Sequence, residues 1–141
     1  MQSDDPTVIR SLAVHVVDVV SALEANAARD ADAVLRVTPP FNGRMRARLH
    51  LAGGEGAYDT DPEPLHLAPE RLVDDGAPAY PTPDETEDEL RDRGEYSADR
   101  HREYHAERVD VWRDAVRDHL VDRTTLPAVA AGHGVDVLTL G

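Results

Sequence analysis

The sequence predicts an α+β fold, with two long amphipathic helices covering a small, mainly antiparallel sheet built from two hairpins and a short strand. Three observations carry this. Apolar residues recur at helical spacing near each end of the chain. Two pairs of strand-like runs flank Gly-rich or Pro-rich connections. No internal repeat interrupts the order helix, hairpin, strand, acidic stretch, helix, hairpin. Helices and hairpins segregated in this way indicate an antiparallel sheet with helices on one face.

The first helix is expected over residues 6–29. Asp5 serves as N-cap and Pro6 as the first helical residue, where its missing N–H is harmless. Ile9, Leu12, Val16, Val19 and Leu23 step by three and four and share one face. The same spacing resembles a coiled-coil seam, so a homodimer through this helix is the alternative use of that face. Residues 33–38 and 44–51 form the first hairpin. A tight Asn42-Gly43 turn would put apolar and charged residues on one face. A five-residue loop over 39–43 instead pairs Val37 with Met45, Leu35 with Ala47 and Ala33 with Leu49. Register follows the buried face, so the longer loop is expected. Residues 53–64 read as a loop, Leu65 to Leu67 as a short strand, and 69–73 as one helical turn.

Residues 74–96 form an acidic, Pro-rich insertion in an otherwise single domain spanning 1–141. Within it Thr82, Pro83 and Glu85 make a capping box, and Gly94 a stop, so a short helix is expected over 83–93. Ser97 caps a long helix running to about Asp122. His105, Val109, Trp112, Val116 and Leu120 form its inner face. Glu103, Glu107, Asp110, Asp114 and Asp118 form a carboxylate stripe outside. Residues 124–129 and 135–140 make the second hairpin, around Gly132, His133 and Gly134.

The chain has 141 residues, 28 acidic and 15 basic, for a formal net charge of -13. Every basic residue is arginine, and there is no cysteine. Thiol chemistry, disulfides and Cys-based zinc sites are thereby excluded. The acidic start is unlike a secretory signal, and the run from Leu12 to Val20 is too short and too polar to span a bilayer. A cytoplasmic protein with no membrane association is expected. The lack of lysine, the excess of Asp over Glu and the abundant Ala and Val resemble uncharacterised small proteins of halophilic archaea. That resemblance is one of composition. It implies a salt-filled cytoplasm, where dense carboxylates hold water and their repulsion is screened over ~3 Å. It implies no activity.

No catalytic signature stands out. His101 and His105, four apart, could reach one metal ion, but the sequence between them lacks the glutamate of a zincin helix and no third ligand is singled out. No metal and no cofactor are assigned. Gly53-Gly54-Glu55-Gly56 is a poor phosphate loop, since no helix opens after it. A small enzyme or metal protein assembled from scattered His, Arg and Asp is the alternative to a binding domain.

One feature opposes the overall charge. Arg36, Arg44, Arg46 and Arg48 gather on the first hairpin, with His50 continuing the row and Phe41 at the loop as a stacking group. Guanidinium forks fit carboxylate and phosphate alike. The face could pair with the acidic insertion or Asp32, with an acidic protein partner, with an anionic small molecule, or with nucleic acid. The last is disfavoured. Log K falls by ~0.9 per phosphate contact per decade of salt, so four contacts lose roughly 3.6 decades from 0.05 M to 0.5 M. A non-catalytic accessory or interaction domain acting through this face is the expected function.

Overall fold

The computed structural model describes residues 2–51, 63–127 and 132–141. The chain forms two compact units. The first comprises Met1–Asp75 with Leu120–Gly141, and the second Gly76–His119.

In the first unit, Asp5 caps as expected: its Oδ1 accepts the Thr7 N–H at 2.9 Å. The turn it opens is one 3-10 turn, Pro6–Val8. The expected long helix then gives way to a strand, β1 (Ser11–His15), and only afterwards to a helix, α1 (Val16–Arg29). Leu12 and Val14 are buried, and Ser11, Ala13 and His15 are half-exposed. Leu12 and Val16 satisfy both a period of two and a period near four, so the apolar pattern alone does not choose. Tertiary pairing does. Two further strands, β3 (Arg44–Arg46) and β7 (His133–Leu140), flank β1 in parallel and take up its backbone groups on both sides. A central strand suits Val14, whose branched Cβ fits a pleated surface better than a helix. Ile9, Leu12 and Val19 are fully buried inside this unit, which absorbs the residues that resembled a dimer seam.

At its other end α1 stops on Asp30, which is left-handed (φ 52°). The Asn26 side chain then acts like a strand neighbour. Its Nδ2 donates to the Ala33 carbonyl at 2.9 Å, and its Oδ1 accepts the Ala33 N–H. This starts β2 (Ala33–Val37).

The first hairpin exists, but its second arm is divided. β2 pairs antiparallel with β4 (Arg48–Leu51) and with β5 (Leu65–Leu67) in a three-stranded sheet of order β4-β2-β5. Leu35 lies opposite Leu49 and Ala33 opposite Leu51, two residues along from the expected register. Ala33, Leu35 and Val37 of β2 are buried as expected, whereas Leu49 and Leu51 of β4 are exposed. The offset arises because the chain changes sheets at Ala47. Residues before it form β3, in a four-stranded sheet of order β3-β1-β7-β6, where β6 is Arg123–Leu126. Ala47 is buried, and its N–H donates to the Ala13 carbonyl at 3.0 Å. The sheet carrying β1 is thus mixed, not antiparallel. α1 packs against β2, β4, β1 and the turn Pro69–Leu72. The second hairpin forms as expected between β6 and β7, with Thr124 opposite Val135. The Gly53–Gly56 motif and Val129 lie outside the described residues.

The second unit is a helical hairpin of α2 (Pro83–Asp92) and α3 (Ala98–Val116). The acidic insertion is therefore half of a folded unit. Thr82 Oγ1 accepts the Glu85 N–H at 3.2 Å. At the other end of α2 the Glu95 N–H bonds the Leu90 carbonyl and the Gly94 N–H bonds that of Arg91. This closure requires the positive φ of Gly94. Ser97 Oγ caps α3 through the Arg100 N–H at 3.0 Å. Tyr104, Val109, Trp112 and Val116 form the buried stripe of α3, and the expected carboxylate stripe is exposed. α3 packs on α2. The expected pair of helices covering one sheet is thus one helix, α1, in the sheet-bearing unit and one, α3, in the helical unit. The Trp112 Nε1–H donates to the Pro78 carbonyl at 2.9 Å, and Tyr80 meets the indole edge-on.

Candidate anion-binding site

A cavity of the sheet-bearing unit forms beside the crossing at Ala47. Met45 and Arg46 approach it from β3, Arg48, Leu49 and His50 from β4, Arg36 from β2, and Thr38 from just beyond β2. The volume is about 510 Å³. Pairing accounts for the convergence. Arg36 lies directly opposite Arg48 on one side and His66 of β5 on the other. Arg36 Nη1 donates to His50 Nδ1 at 3.2 Å. The His50 and His66 rings stack with centroids 5.7 Å apart.

An arginine has donors only, so His50 Nδ1 must accept this bond. Three guanidiniums and this imidazole therefore face one cavity, and no carboxylate lines it among the described residues. Arg46 and Arg48 make no ion pair with a described carboxylate, although the chain is strongly acidic. Some arginines elsewhere do find partners, Arg123 with Asp136 at 2.7 Å, Arg108 with Glu89 at 3.2 Å and Arg91 with Glu87 at 3.0 Å.

Of the six residues singled out in the sequence, the structure brings four together: Arg36, Arg46, Arg48 and His50. Arg44 does not line the cavity. It is exposed on β3, opposite Ser11. Phe41 is a correction. It is 1% exposed and part of the core, so its ring cannot stack on a ligand. Its backbone exchanges two 2.7 Å hydrogen bonds with Ser3, which tucks the loop inward. As the chain's one phenylalanine, it buries more apolar area than most residues available to this core. Sequence reasoning missed Thr38, Met45, Leu49 and His66. Met45 and Leu49 read as inner-face residues, and the signal that would expose them is the sheet crossing, which is not local.

The helical unit holds a second polar cluster. Thr86 is fully buried, and its hydroxyl lies 2.8 Å from His101 Nε2 and 3.0 Å from His105 Nδ1. His101 Nε2 is also 3.1 Å from the Pro83 carbonyl, which gives its N–H an acceptor. The two histidines thus satisfy a buried hydroxyl. Among the described residues no three His, Asp or Glu side chains are placed to hold a metal ion. On the same hairpin, hydrogen bonds from Tyr104 and then Arg108 hold the Glu89 carboxyl below its ordinary range.

No helix among the described residues is long and apolar enough to cross a membrane. No curated protein and no solved structure matches the chain. A family model described as "Domain of unknown function (DUF8009)" matches residues 1–141, the whole length, and the chain belongs to that family.

Proposed function

We propose that the chain is a non-catalytic binding domain whose arginine-lined cavity receives an anionic group. The observation that carries this is the convergence of Arg36, Arg46 and Arg48 on one cavity, with no carboxylate among its described lining residues. Arg36 and Arg48 are direct cross-strand neighbours, and like charges so placed destabilise a sheet. Local arrangements that oppose folding concentrate at functional sites, which supports this reading. The volume lies within the ~300–1,000 Å³ of small-molecule sites.

The bulk composition adds a setting. Exposed carboxylates along α3, with no lysine anywhere, suit a halophilic archaeal cytoplasm. An acidic protein segment is the second reading. Among the described residues β4 is an edge strand, and Leu49 and Leu51 beside Arg48 are 38% and 53% exposed, which offers a segment both backbone and apolar contact.

Calorimetric titration with phosphate, succinate and a polyglutamate peptide at 0.15 M KCl tests the reading. Binding of an anion to the natural chain, lost in Arg46→Gln/Arg48→Gln, supports it. Equal binding by the variant, or no anion bound at all, removes it.

A further inference from the structure

We infer that the open face of the four-stranded sheet docks an acidic amphipathic helix of a partner protein, laid along β1 and β7 with its carboxylates over β3. This surface is separate from the anion cavity, and the inference goes beyond that reading.

The two faces of the sheet differ. Leu12 and Val14 of β1 and Val135 and Val137 of β7 turn into the core. The residues between them turn outward, and the register sets them in rows. Arg44, Ser11, Asp136 and Arg123 lie side by side across β3, β1, β7 and β6. Arg46, Ala13 and Leu138 form the next row, and His15 with Leu140 the last. Leu138 is 54% exposed and Leu140 37%. β1 runs parallel to both of its neighbours, and parallel strands belong to sheets covered on both faces. Two exposed leucines on an interior strand of such a sheet mark the place of a further layer.

Dimensions select a helix. An α-helix with its side chains is ~10 Å wide and strands lie ~4.8 Å apart, so one helix covers β1 and β7. Its flank then lies over β3. Arg44 and Arg46 stand two residues apart on one face, a spacing of ~6.7 Å. Carboxylates at i and i+4 of a helix are ~6 Å apart along its axis, so each arginine can meet one.

Charge selects an acidic helix. The strands present Arg44, Arg46 and Arg123 on this face against Asp136, a formal +2 with His15 neutral. Asp136 is already paired with Arg123 at 2.7 Å. Arg10 just before β1 and Asp122 just before β6 are both exposed and offset each other. Arg44 and Arg46 make no ion pair with a described carboxylate. The rest of the chain is strongly acidic, with a net charge of -13. A second copy could offer α3, where Asp110 and Asp114 have the required spacing beside the exposed Val111. Repulsion between two chains of charge -13 opposes that occupant and favours a separate partner.

The test uses the full chain with two synthetic helical peptides of about 18 residues, five turns each, at 0.15 M KCl. Both carry a leucine stripe. One has glutamates at i and i+4 along its flank, and the other has lysines there. Fluorescence anisotropy should show the glutamate peptide bound at least ~10-fold more tightly, because like charges set across an interface are strongly unfavourable. Arg44→Glu should weaken the glutamate peptide by ~10-fold or more and strengthen the lysine peptide. Leu138→Asp should weaken both. The two side chains are exposed, so both variants should keep the natural circular dichroism spectrum. Arg44 lies outside the anion cavity, so these results stand or fall apart from that reading. Equal binding of the two peptides would overturn the acidic partner. No binding of the glutamate peptide, or binding that neither variant changes, would overturn the docking face. Sedimentation of the natural chain alone as a dimer that Arg44→Glu dissociates would overturn the separate partner and give the face to a second copy.

Discussion

Arg48→Glu should make the protein more stable while emptying its cavity. Arg36 and Arg48 are partners in the β2–β4 ladder, so their side chains leave the same face side by side. A cross-strand pair contributes roughly 0.2–1 kcal/mol when the charges are opposite and opposes folding when they are alike. Reversing one sign therefore swings the balance by about 0.4–2 kcal/mol. Coulomb's law agrees. Two unit charges ~6 Å apart in water interact by ~0.7 kcal/mol, so repulsion turned to attraction is worth about 1.4 kcal/mol. Arg46 lines the same cavity and adds to the attraction. Arg48 is exposed, so salt reduces the effect: the screening length falls from ~8 Å at 0.15 M to ~3 Å at 1 M.

For a chain of this size ~1 kcal/mol moves the melting midpoint by roughly 2–4 °C. Calorimetric melting in 0.05 M KCl should thus show Arg48→Glu a few degrees above the natural chain. Arg48→Gln should fall between them, since it removes repulsion without adding attraction. At 1 M KCl the three midpoints should draw together. A midpoint for Arg48→Glu at or below that of the natural chain in dilute salt would mean that the two arginines do not strain the sheet. The principal support for a site kept at the expense of stability would then be gone.

Three further outcomes follow from the packing. Leu12→Ala, in the fully buried centre of β1, should cost about 2–5 kcal/mol in denaturant melts, whereas Ser11→Ala on the half-exposed face should stay within about 0.5 kcal/mol. Glu89 is held below its ordinary range by Tyr104 and Arg108, so its stabilisation is present at neutral pH and lost as pH falls through the lowered value; fluorescence of Trp112, on the same helical hairpin, should report acid loosening that Glu89→Gln reduces. The exposed carboxylates of α3 and the net charge of -13 should raise the melting midpoint as KCl goes from 0.05 to 3 M, and a flat or falling midpoint would end the halophile reading.

Local chemistry was legible and distant pairing was not. The Thr82–Glu85 cap, the Gly94 stop and the Ser97 cap each rest on residues within one or two turns, and each stands where the sequence places it. The β6–β7 hairpin and the short strand β5 are similarly local. β1 is different. Its neighbours are residues 44–46 and 133–140, and the pairing that makes it a strand leaves no trace in the 3-4 spacing around it. The stripe of α3 announces a buried face without saying what buries it. Here the cover is α2, whose acidic composition looks solvated until Leu90 and Thr86 prove fully buried. The arginines were visible because they contrast with everything around them. Phe41 misled because a large ring beside Asn-Gly looks like a loop tip, and only the bridge to Ser3 turns it inward.

The sheet crossing also decides what kind of site the arginines make. On an unbroken strand Arg44, Arg46 and Arg48 would point one way at intervals of ~6.7 Å, a flat basic row suited to a broad partner. Ala47 ends that row. Its small side chain is buried where the chain leaves β1 for β2, and Arg46 and Arg48 then belong to different sheets while lining one cavity. Arg44, one step further from the break, stays outside. Concavity matters because it lets several guanidiniums reach a single group, which a flat row cannot do without the ligand spanning it. The same four residues that read as a surface in the sequence therefore line one cavity in the fold, and it is this concavity, not a basic row, on which the proposed anion site rests.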